Sequence, residues 1–201
     1  MPVPSVLAGV LAVLLLGTLA GPAMAQVPEQ PSNVRGQVTL QDPAGDVWRT
    51  RVGEEAEPAP RVRVHDIRAL RVRHAPRRVI VTVRYTALRR SGVLSAHRVW
   101  LRTPAGLLRE VLVEAGPRRW AGRTRVFTRR GDLVQCRTRH AIDYPEGRVR
   151  VVVPRACLGT PARVRARMVG YRAFKDGRVD TDNPHDQQPT SRRWTPWVRR
   201  A

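Results

Sequence analysis

Asp42 and Asp46 flank a Pro43-Ala44-Gly45 turn, and Asp66 follows about twenty residues later, next to a strand-like run. Aspartates so placed can bind calcium, which takes about 6–8 oxygen ligands, usually with several carboxylates on a bent backbone. Gly45 permits the bend, and Asp66 could close the site from a neighbouring strand. The competing reading is a plain turn in which Asp42 and Asp46 accept backbone N–H bonds. A second set lies in 176–186, which holds four of the chain's nine aspartates. There Asp180, Asp182 and Asp186, with Asn183, supply oxygens in one segment. Its D-x-D-N start is like an EF-hand loop, but the required Gly and the closing Glu are absent. A solvated loop that tempers local positive charge explains it as well.

Other catalytic constellations are thin. The five histidines form no H-E-x-x-H, and no serine sits in a G-x-S-x-G elbow. His65 and Asp66 are adjacent, so on a strand they face opposite sides and should not touch. No glycine-rich phosphate loop is present. Five tryptophans stand against two phenylalanines. Trp120, in the Pro117–Arg123 stretch, reads as a loop indole able to stack on a sugar ring or a base, with packing in the core or at its rim as the competing reading. Arginines recur at period two: Arg71/Arg73, Arg148/Arg150 and Arg163/Arg165/Arg167, with side chains roughly 7 Å apart along a strand. Such rows suit oxyanions, because a guanidinium offers paired hydrogen bonds. A merely solvated face, enriched by codon usage, is the competing reading. The ligand-binding candidates are Trp120, Arg163, Arg165 and Arg167.

The elements that must position these residues follow from composition and pattern. The chain has 201 residues, 37 Lys+Arg against 16 Asp+Glu, and a formal charge of +21; Lys175 is the lone lysine. Hydrophobic residues make up 42%, enough for a packed core and too many for a disordered chain. Residues 6–20 are an unbroken apolar run followed by Ala23-Met24-Ala25. A spanning helix needs about 20 apolar residues, so residues 1–25 read as a cleaved secretory signal peptide. No Lys or Arg precedes the run, which departs from the usual leader. Residues 26–33 read as a linker and 34–201 as one domain, with no membrane span after the leader. In an oxidising compartment two thiols in one domain usually pair, so Cys136 and Cys157 are expected to form a disulfide. Its loop of about 22 residues is worth roughly 3 kcal/mol in the chain-entropy account.

Val79, Val81, Val83 and Tyr85 share one face of an alternating run, while Thr82, Arg84 and Thr86 share the other. The same alternation recurs near 34–40, 70–73, 98–102, 107–114, 148–153 and 163–168, with Gly- and Pro-bearing turns between. Short strands at regular spacing, with no amphipathic helical stripe, predict an all-β chain: a single antiparallel β-sandwich of jelly-roll or immunoglobulin-like form. One helical turn is expected near 154–158.

Asp42-Pro43-Ala44-Gly45-Asp46, His65-Asp66-Ile67 and Val153-Pro154-Arg155-Ala156-Cys157-Leu158-Gly159 together resemble small secreted β-sandwich proteins of high-GC actinobacteria. Their general shape is similar to the carbohydrate-binding and DOMON-like sandwiches. The resemblance covers roughly residues 36–170 and implies a fold and a compartment, not an activity.

The expected protein is a secreted or cell-envelope monomer without catalytic activity. It would bind an anionic polymer or carbohydrate through its basic surface, without reading nucleic-acid sequence, and could hold a structural calcium ion. A secreted hydrolase with a carboxylate pair and a structural envelope protein are the alternatives.

Overall fold

The computed structural model describes residues 32–189 and 192–201. The expected signal peptide, residues 1–25, lies outside the described residues. Two antiparallel sheets pack face to face. The first has six strands in the order β1 (Ser32–Val34), β2 (Gln37–Gln41), β5 (Ile67–His74), β6 (Arg78–Tyr85), β11 (Arg148–Pro154) and β10 (Arg139–Asp143). The second runs β4 (Glu57–Pro58), β3 (Trp48–Thr50), β13 (Val179–Asp182), β12 (Arg163–Ala173), β7 (Leu94–Arg102), β8 (Leu108–Gly116) and β9 (Arg119–Phe127), and β14 (Val198–Arg199) pairs with β12. The chain is therefore an all-β sandwich, as the alternation predicts. β1 starts inside the stretch read as a linker. A 3-10 turn, Arg155–Leu158, follows β11 where a helical turn is expected. Among the described residues no helix is long and apolar enough to cross a membrane.

The period-two pattern explains which residues meet. In β5, Leu70, Val72 and His74 are buried while Arg71 and Arg73 are exposed. In β6 and β11, Val79, Val81, Val83, Val149, Val151 and Val153 face inward. Val99, Leu101, Val111, Val113, Ala166 and Met168 answer them from the second sheet. Each buried valine contributes about 2 kcal/mol of transfer free energy, and β-branched side chains suit the pleated surface. The disulfide forms as expected: Cys136 and Cys157, with Cα atoms 6.0 Å apart, tie the segment before β10 to the turn after β11.

The core is not wholly apolar. His65, Ser95 and His97 are fully buried beside Tyr85. The Tyr85 hydroxyl lies 2.7 Å from Nδ1 of His97, and Ser95 Oγ lies 2.8 Å from Nε2 of His65. Burial lowers the pKa of both histidines, that of His97 to about 3. This serine–histidine pairing is fully buried between the sheets.

Candidate functional site

Two places on the sandwich gather chemistry. The first is a carboxylate cluster where the ends of the two sheets meet. Asp42 directly follows β2, Asp46 closes the turn leading towards β3, and Asp182 ends β13. One oxygen from each lies within 4.8 Å of the others. Asp182 is held by two backbone donors: Ile67 N–H reaches Oδ2 at 2.5 Å and Asn183 N–H reaches Oδ1 at 2.7 Å. Asp66 stands behind the cluster and is fully buried. It accepts the Gly45 N–H at 3.2 and 3.3 Å and the Thr86 hydroxyl at 3.0 Å, with the Arg63 guanidinium 3.7 Å away. Gly45 has φ +83°, and a Cβ there would stand 3.0 Å from the Pro60 carbonyl. Only glycine suits both demands, so the bend that brings Asp42 and Asp46 together is encoded at that residue.

The electrostatics follow from burial and like charge. Burial, aided by Asp182, Asp46 and Asp66, pushes the Asp42 carboxyl up to about 10. Burial likewise raises Asp182 to about 8 and Asp46 to about 6. Arg68 opposes the shift at Asp42 and Asp46.

The second place is the outer face of the six-stranded sheet. It is concave and forms a groove of about 890 Å³ lined by Arg68, Arg71, Arg73, Arg84, Arg148 and Arg150. Register explains the array. Thr39, Arg71, Thr82, Arg150 and Ala141 form one row across five strands. Gln41, Ala69, Arg84, Arg148 and Asp143 form the next. Neighbouring strands lie about 4.8 Å apart, so Arg84 and Arg148 are immediate neighbours and Arg71 and Arg150 are about 10 Å apart. Among the described residues Asp143 is the one carboxylate lining the groove, and Arg148 pairs with it at 2.8 Å. Five of the six guanidinium-bearing residues are exposed, Arg148 being half-buried.

The remaining candidates fall elsewhere. Asp180 is fully buried on β13 between Arg49 and Arg172, its two oxygens each 2.9 Å from a guanidinium. It is a structural ion-pair residue away from the carboxylate cluster. Asp186 lies 3.4 Å from the Arg193 guanidinium. Trp120 is on β9, not on a loop, and is half-buried with its ring nearly perpendicular to Tyr144. Arg163, Arg165 and Arg167 do alternate along β12, yet the C-terminal segment lies over them. Arg165 sits 4.8 Å from the Trp197 ring centre, Arg167 sits 4.3 Å from Trp100, and Arg163 sits 5.2 Å from Trp197. These guanidiniums already stack on the protein's own indoles. Read along the sequence, the carboxylates fall into two sets and the candidate ligand-binding arginines fall on β12. Neither the packing of one sheet on the other, which brings Asp42 to Asp182, nor the strand pairing that sets Arg84 beside Arg148 carries a local signal.

No known protein family, curated protein or solved structure matches this chain.

Proposed function

We propose that this chain is a non-catalytic binding module that holds an anionic polymer in the arginine groove of the six-stranded sheet. The observation that carries the reading is the groove itself: six arginines converge on one concave face, with a single carboxylate among its lining residues. A concave surface lined by one sign of charge focuses the field and concentrates oppositely charged ligands. Guanidiniums then bind carboxylate, sulfate or phosphate oxygens in paired hydrogen bonds. The threonines and glutamines between them, Thr39, Thr82, Gln37 and Gln41, add neutral donors and acceptors that suit a sugar-bearing chain. The β12 arginines, engaged with Trp100, Trp194 and Trp197, are the weaker surface. Export fits the same reading, since a disulfide is kept in oxidising compartments. Kinship with the secreted actinobacterial sandwiches belongs to this proposal as well.

Five groove arginines each neutralising one polymer charge would make log K fall against log salt with a slope of about −4. The test is retention on immobilised heparin across a salt series. Arg71→Glu/Arg150→Glu is compared with Arg129→Glu/Arg130→Glu, which changes net charge equally on an exposed loop. The groove variant should elute at much lower salt than the loop variant. Equal elution of the two variants, or loss of the wild type at the lowest salt, would overturn the reading.

A further inference from the structure

We infer that Asp42, Asp46 and Asp182 form a divalent-cation site of the calcium class that joins the two sheets. The inference is independent of the groove and rests on different residues. Three carboxylates offering oxygens within 4.8 Å of one another are the first observation. The second is that the hydrogen-bonding capacity of Asp42 and Asp46 is unspent. Asp42 is only 6% exposed, and its Oδ2 has no hydrogen-bond partner. Both Asp46 oxygens are likewise buried with no partner from any other residue. Buried polar atoms are nearly always satisfied, so neighbouring carboxylates whose buried oxygens find no other residue point to a missing electropositive partner. Asp66 differs: its hydrogen bonds to Gly45 and Thr86 make it a positioning residue that holds the turn, not a ligand. Asp182 is oriented by the Ile67 and Asn183 amides.

The donor set is all oxygen, which selects hard cations over zinc or copper. Calcium accepts irregular oxygen cages with carboxylates binding through one or both oxygens, whereas magnesium demands near-ideal octahedral geometry and keeps its waters. A bound ion would tie the end of β2 in one sheet to the end of β13 in the other.

The experiment uses calcium chloride with the full chain, freed of metal by chelator. Calorimetric titration should give one site per chain. Free calcium at about a hundred times Kd should raise the melting temperature by roughly 5–10 °C over chelator, and magnesium should raise it less. Asp46→Asn and Asp182→Asn should lose the rise, while Glu54→Gln, on an exposed turn, should keep it. In chelator Asp46→Asn should melt no lower than wild type, because it relieves repulsion and removes no hydrogen bond to another residue. Superimposable melts with no heat of binding, a rise retained in both aspartate variants, or a magnesium rise matching that of calcium would each overturn the assignment.

Discussion

His97 lies at the centre of the sandwich, and protonating it should unfold the protein from within. Its neighbours are the Tyr85 hydroxyl at 2.7 Å, Ser95 Oγ at 3.4 Å and the His65 ring stacked at 5.5 Å. Burial first, and the nearby charge of His140 second, hold its pKa at about 3. An unfolded histidine titrates near 6.5, so below that pH the unfolded chain takes up a proton that the folded chain refuses. Stability is therefore present above about pH 6.5 and is lost as pH falls towards 3. One pKa unit is about 1.4 kcal/mol, so lowering the pH from about 6.5 to 4 should cost about 3 kcal/mol from His97 alone. The carboxylate cluster shifts the opposite way, since Asp42, Asp46 and Asp182 bind protons more readily folded than unfolded. A His97→Gln comparison separates the two effects. Glutamine still offers Tyr85 an acceptor, and the carboxylates, none of which hydrogen-bonds to His97, cancel to first order in the difference. Urea unfolding of both proteins in chelator, at several pH values across this window, gives that difference directly. The stability advantage of wild type over His97→Gln should shrink by about 3 kcal/mol on acidification. An advantage unchanged with pH would refute the reasoning, because His97 would then already be charged in the fold or shielded in the unfolded chain.

Two further outcomes follow from the core and the disulfide. Asp180→Asn should cost about 3–5 kcal/mol in denaturant unfolding, because it leaves Arg172, 8% exposed, and the partly buried Arg49 without their shared carboxylate. The unreduced, denatured protein should label with no thiol reagent, and Cys136→Ser should lower stability by roughly 3 kcal/mol through loss of the loop constraint.

Sequence alone determined the fold class and much of the strand plan. Alternation of valine with arginine in β5, β6, β11 and β12 is local information, because strand geometry sends successive side chains to opposite faces. The glycine needed at position 45 and the pairing of the chain's two cysteines were legible for similar reasons. β13 is not legible, since 176–186 reads as a loop, either solvated or supplying oxygens to a cation. Its inward positions are Asp180 and Asp182, which invert the usual pattern. Such an inversion is stable only because Arg49 and Arg172 lie opposite Asp180 in register, and the amides of Ile67 and Asn183 reach Asp182. Which arginines stay free was equally hidden, since β12 and the groove strands carry the same period-two rows. Only the packing of the C-terminal segment, which stacks Trp194 and Trp197 on Arg163, Arg165 and Arg167, separates a covered face from an open one. Periodicity is a property of neighbours in the chain, whereas a site is a property of neighbours in space. Asp42 and Asp182 are far apart in the first and adjacent in the second, because β2 and β13 end at the same seam between the sheets.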